Sequence, residues 1–280
     1  MIRRPRKTKR GCEESMQYPI IDCHTHIYPG KIAAKAVKSI GDFYGIPMDG
    51  DGTVESLLRQ AKEVGIQKCL ALAVAVDAAH VRHVNDFLIA SVSAHPDEMW
   101  GFATLHPDME DPGAEVERVL RAGMKGIKLH PDMQHFSLAE ARTDKLFAAC
   151  AGVCPMMIHT GDRRYHNSNP VLLPPILKRH PCLQLICAHL GGYSEWDDGV
   201  RCLLDTSVYV DTSSSSFVLP PERVRELILL YGEDRVLFGT DFPMWDAKPE
   251  IDFLLSLGLS DTAYRKIFSG NLLRLLGETL

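Results

Sequence analysis

The residues best suited to chemistry are two histidines one residue apart, at the end of the apolar run Ile20-Ile21-Asp22-Cys23-His24-Thr25-His26. Side chains on a β-strand alternate faces with a period of two, so His24 and His26 project to one side, with Asp22 behind them. Two imidazoles on one face make half of a metal site, and the other half must come from elsewhere in the chain.

Titratable groups recur where later apolar runs end: His106, Lys128 and His130, His159, His189, Asp211 and Asp241. Imidazole nitrogens and a carboxylate suit a borderline divalent ion, Zn²⁺ first, with Mn²⁺ and Fe²⁺ as alternatives. Three or four such ligands leave a coordination position open for water. Each residue also has a plainer reading. His159 and His189 could be capped core histidines, Asp241 a turn cap, and Asp211, with serines at 213–216 behind it, a loop-shaping residue. Lys128 could snorkel to a rim, and His106 and His130, each before a proline, could only form turns.

What must position these groups is a scaffold that gathers strand ends. Short apolar runs at 20–26, 66–76, 100–105, 126–130, 155–159, 183–189, 208–211 and 235–241 alternate with helical stretches, and a last helix at 261–276 closes the chain. Strict alternation implies parallel strands joined by right-handed crossovers, and eight units close into a (β/α)8 TIM-type barrel with an extra C-terminal helix. Active sites of such barrels form beyond the C-terminal strand ends, where the listed groups fall. An open doubly wound sheet would carry a Gly-rich phosphate loop after its first strand, but His-Thr-His-Ile-Tyr-Pro stands there instead. The segment 162–170, after the fifth strand, is the candidate for substrate selection. One of its adjacent arginines, Arg163 or Arg164, could hold a carboxylate in a bidentate pair.

Length and composition agree with one large domain over 16–280: the chain has 280 residues, of which 45% are hydrophobic and 24% charged. Its formal net charge is -5, although six basic residues (Arg3, Arg4, Arg6, Lys7, Lys9, Arg10) crowd the first ten positions. The remainder is therefore distinctly acidic, which argues against nucleic acid as a partner. Residues 1–15 lack an apolar pattern and read as a disordered basic tail. No stretch reaches the ~18 apolar residues of a membrane span. Eight scattered cysteines without paired spacing read as buried apolar residues of a reducing, cytoplasmic compartment.

The order His24-x-His26, His159, His189, Gly-Thr-Asp241-Phe-Pro, ending in Gly270-Asn271-Leu272-Leu273-Arg274-Leu275-Leu276, resembles the amidohydrolase superfamily from about residue 18 onward. Within it, the branch containing aminocarboxymuconate-semialdehyde decarboxylase and the resorcylate-type decarboxylases is the most similar. The resemblance implies one catalytic divalent ion held by His24, His26, His159 and Asp241. It also implies proton transfer by His189 and Asp241, with Lys128 in the place of a bridging lysine or a substrate-binding cation. The reaction expected first is hydrolysis of a small carboxylate-bearing lactone, ester or amide by a metal-activated water. Non-oxidative decarboxylation by the same centre is the alternative. A non-catalytic barrel is disfavoured because ligands and proton shuttles occur together. Related barrels often form homodimers, but nothing in the sequence identifies an interface.

Overall fold

β1 (Ile20–His26) begins the fold, and seven more parallel strands follow in sheet order. They are β2 (Ile66–Leu72), β3 (Met99–Thr104), β4 (Gly126–Leu129), β5 (Met156–Ile158), β6 (Leu185–Cys187), β7 (Tyr209–Asp211) and β8 (Val236–Leu237). The seam between β8 and β1 closes through backbone bonds from Cys23 N–H to the Phe238 carbonyl (2.9 Å) and from Asp241 N–H to the His24 carbonyl (2.8 Å). The structure, a computed structural model, describes residues 18–280; the sequence reading of residues 1–15 as a disordered tail lies outside them.

Helices α1 (Gly30–Tyr44), α2 (Val54–Val64), α3 (Val81–Ala94), α4 (Pro112–Arg121), α5 (Asp144–Cys150), α6 (Leu173–Arg179), α7 (Trp196–Leu203) and α8 (Pro221–Tyr231) connect the strands, and α9 (Ala247–Ser256) follows β8. Their ends carry the expected signals. The Thr53 side chain accepts the Ser56 N–H at the start of α2, and Gly65 ends that helix in the left-handed conformation, which a residue without Cβ adopts freely. The last helix is built in three parts: α10 (Asp261–Arg265), a π-helical turn at Lys266–Gly270, and α11 (Asn271–Leu276). That turn has a use, because the Ile267 carbonyl accepts the Phe238 N–H at the end of β8 (2.9 Å).

Alternation along the strands separates two apolar layers. Cys69, Ala71, Ile127, Leu129, Met156 and Ile158 face the helices, whereas Leu70, Leu72, Phe102, Met157, Ile186 and Leu237 fill the barrel, capped at one end by Leu272 and Leu275. β1 breaks this alternation once. Asp22 pairs with Cys69 and Thr25 with Ala71, so three steps on β1 oppose two on β2. Such a bulge re-aims side chains. Asp22 consequently does not stand behind the histidines as strand periodicity predicts: its carboxylate accepts from the Thr240 hydroxyl (2.6 Å) and N–H (3.0 Å). His24 and His26 line the cavity at the strand ends.

Six of the eight strands are shorter than their apolar runs, and two of these, β2 and β8, bear on the site. After Leu72 the run 73–76 leaves the sheet to line the cavity, and β8 stops at Leu237 because the chain turns towards Asp241, whose φ is 67°. α5 starts at Asp144, after a 3-10 turn at Ala141–Thr143.

Buried Asn271 ties the closing helix to the barrel by donating its amide to the Glu233 and Val236 carbonyls, both at 2.7 Å. Leaving a buried carbonyl unpaired costs about 1–3 kcal/mol. Asn271→Ala should therefore lower the unfolding free energy by at least about 2 kcal/mol, read as a lower urea midpoint at unchanged m.

Candidate metal centre

Three donor atoms meet at the seam. His24 Nε2 lies 3.2 Å from His26 Nε2 and 3.4 Å from Asp241 Oδ1, and His26 Nε2 lies 3.7 Å from the same oxygen. Ligands of a tetrahedral ion with bonds of about 2.1 Å sit roughly 3.4 Å apart, so this spacing fits a divalent cation. The chemistry of the donors fits too, being two imidazoles and one carboxylate.

Two of the three donors are held by a neighbour. His24 Nδ1 is 3.0 Å from Asp211 Oδ2 at the end of β7, and both residues are fully buried. With the Nδ1 proton directed to that carboxylate, His24 Nε2 presents its lone pair to the site. Burial opposes ionisation of Asp211, but electrostatic attraction to and a hydrogen bond with the His24 ring, with His189 and the Ser213 hydroxyl, hold it well below the usual carboxylate range. Burial likewise opposes ionisation of Asp241, yet His24, His189 and the Ser214 hydroxyl (2.5 Å) keep its carboxyl below the ordinary value. Asp241 and His189 both occupy the left-handed backbone region, with φ of 67° and 60°. Non-glycine residues there cost about 1–3 kcal/mol each and cluster at functional sites.

Lys128, on the inner face of β4, is completely buried with Nζ 3.1 Å from His24 Nε2. Burial pushes its ammonium down to about 8, against the upward pull of Asp211 and Asp241. A cation of tunable charge thus lies beside the donor trio.

His159 does not join that trio. Its Nδ1 is 2.9 Å from His189 Nε2, its ring stacks on His130 at 3.9 Å, and its Nε2 is buried without a hydrogen-bond partner, 3.9 Å from Asp132. His130, Asp132 and His159 bring donor atoms together in a second cluster, and His24, His189 and Asp211 in a third that lies between it and the trio's His24. His189 is anchored at Nδ1 by Ser213, through its hydroxyl at 2.9 Å and its carbonyl at 3.1 Å. Burial pushes the His189 imidazole down to about 4, although Asp241 pulls upward.

The arginines expected to select substrate lie outside the cavity wall. Arg163 donates to the Ser194 carbonyl (2.6 Å) in an exposed position. Arg164 forms a fork onto Asp162, donates to the Phe43 carbonyl (2.7 Å) and covers the Tyr44 ring. Its guanidinium is already occupied in strapping the end of α1 to the barrel.

One contributor carries no signal in the sequence, and a second, Asp211, does not reveal its partner there. Tyr44 on α1 places its hydroxyl 2.8 Å from His130 Nε2 and lines the cavity; no motif marks it, since α1 reads as an ordinary amphipathic helix. Asp211 was visible as a strand-end acid, but its pairing with His24 joins positions 187 residues apart. The cavity beyond these groups has a volume of about 280 Å³ and is walled mainly by apolar side chains from α1, α3 and the segment after β2.

If Asp211 orients His24, Asp211→Asn should weaken metal binding by about 10–100-fold. Metal titration of the purified variant against wild type measures this, and an unchanged affinity would remove Asp211 from the centre.

A family model described as amidohydrolase matches residues 21–277. Gamma-resorcylate decarboxylase from a Polaromonas species is 25% identical, over 68% of this chain and 74% of that protein. Among solved structures, 5-carboxyvanillate decarboxylase from Sphingomonas paucimobilis superposes with a TM-score of 0.72 at 17% identity, covering 94% of this chain and 100% of that one. A dihydroxybenzoic acid decarboxylase from Polaromonas, solved with bound manganese and the inhibitor 2-nitroresorcinol, gives 0.70 at 19% identity, covering 93% and 97%. The match over nearly the whole described chain, on an eight-stranded parallel barrel, shows that this protein belongs to the amidohydrolase family of enzymes.

Proposed function

We propose that the protein is a metal-dependent, non-oxidative decarboxylase of an aromatic hydroxy acid. The observation that carries this reading is the placement of Lys128 Nζ 3.1 Å from His24 Nε2, a buried cation beside the donor trio in a cavity with apolar walls. Such a floor suits a carboxylate, and such walls suit a ring. The preference for hydrolysis formed from the sequence gives way to its alternative, because the similar relatives named above are decarboxylases of benzoate derivatives.

His24, His26 and Asp241 would hold a divalent ion, Zn²⁺ or Mn²⁺ by donor type; Mn²⁺ is the ion bound in a structural neighbour. Bound there, the ion would supply positive charge to bind and polarise the oxygens of the acid. Lys128 adds charge on the same side and orients the carboxylate by hydrogen bonding. A ring seated between the apolar walls would displace the water there, which favours delivery of a proton to carbon over attack by hydroxide. His189, held at Nδ1 by Ser213, is the group assigned to move that proton. A C–H bond forms at the ring carbon, the C–C bond to the carboxylate breaks, its electron pair returns to the ring, and CO₂ leaves. One proton is consumed for each CO₂ released.

Metal-loaded protein incubated with 2,6-dihydroxybenzoate should release CO₂ and resorcinol in equal amounts, with one deuterium entering the ring in D₂O. His189→Asn should retain its metal while turnover falls by about 10²–10⁴. Hydrolysis of lactones or amides without any CO₂ release from aromatic acids would contradict the reading.

A further inference from the structure

One wall of the cavity has no protein partner among the described residues. α1 runs for 15 residues yet buries only Ala33, while Ile32, Ala36 and Ile40, spaced four apart on one helical face, line the cavity. Opposite them stand Val76, after β2, and Val84 and Phe87, three apart on α3. Ile32 and Val76, at the mouth, are 51% and 52% exposed. Apolar side chains facing each other across an open space leave water against both walls, so burial energy remains to be gained there.

Charge on this cavity is confined to its floor. Lys128 is the sole lysine of its lining among the described residues, no arginine lines it, and Asp241 belongs to the donor trio. Towards the mouth the polar groups are Ser39 and exposed His83. A second carboxylate on the substrate would have to lie against the apolar walls, with no lysine or arginine among the described lining residues to pair it there, and such desolvation without compensation is unfavourable.

We propose that this channel is a subsite for an apolar substituent, so that the enzyme takes an aromatic monocarboxylic acid carrying an alkyl group opposite its carboxylate. The proposal rests on the decarboxylase reading for the direction of the ring. With the carboxylate at the floor, the para substituent points along the axis from the strand ends to Ile32 and Val76. It excludes ring dicarboxylates as preferred substrates.

Binding of 2-nitroresorcinol and its 5-methyl, 5-propyl and 5-carboxy derivatives to metal-loaded protein, followed by calorimetry, tests the subsite without turnover. Each methylene withdrawn from water contributes about 0.8 kcal/mol, a factor of about four in Kd. Affinity should rise by about that factor per carbon from parent to propyl and fall at least tenfold for the 5-carboxy compound. Ile32→Arg, at an exposed helical position, should reverse the order of the propyl and carboxy compounds. Equal affinities across the series, or tightest binding of the 5-carboxy compound by wild type, would overturn the subsite and leave decarboxylation standing. The expected gradient, without CO₂ from any 4-alkyl-2,6-dihydroxybenzoate, would keep the subsite and overturn the reaction. No binding by any member would overturn both.

Discussion

Closure of the barrel between its last and first strands is the constraint on which the site depends. Asp241 N–H donates to the His24 carbonyl at 2.8 Å, and His26 N–H donates to the Phe242 carbonyl at 2.6 Å, so the donor residues of the two strand ends are tied through their own backbones. Gly239 permits the approach: a Cβ there would lie 2.8 Å from His24 Cβ. Asp22, displaced by the bulge, fastens the same seam from the other side through Thr240. The separation of His24, His26 and Asp241 is therefore a property of the sheet, and the side chains need little freedom to maintain it.

Holding so many ionisable groups in one buried layer carries an electrostatic cost. Burial lowers the pKa of His26, His130 and His159 well below the ordinary histidine value, and it opposes the charges on Lys128, Asp211 and Asp241. Mutual attraction offsets part of this, because each carboxylate faces an imidazole or the ammonium, and serine hydroxyls complete the acceptors. A divalent cation would complete the balance at the three donor atoms, so folding and metal binding should be coupled. The apolar channel presents the complementary situation, with surface still in contact with water and no charge to satisfy it.

Much of this was legible in the sequence because barrels report their sites at strand ends. The His-x-His pair, the later histidines and Asp241 all follow apolar runs, and the alternation of those runs gave the fold class. What was hidden depends on register or on distant contacts. A bulge leaves no mark in residue types, so Asp22 was assigned to the wrong face of β1. The pairing of Asp211 with His24 and the placement of Tyr44 over His130 arise only when the barrel closes. Arg163 and Arg164 looked available because their partners, the Ser194 and Phe43 carbonyls and Asp162, are met in the folded chain. His159 has the strand-end position of a ligand, and its contacts with His130 and His189 arise only in the folded barrel.

Anomalous diffraction at the metal edge, from crystals of the metal-loaded protein, tests the central claim most directly. The account predicts one peak within about 2.0–2.2 Å of His24 Nε2, His26 Nε2 and an Asp241 oxygen. A peak held instead by His130, Asp132 and His159, or none at the seam, would contradict it.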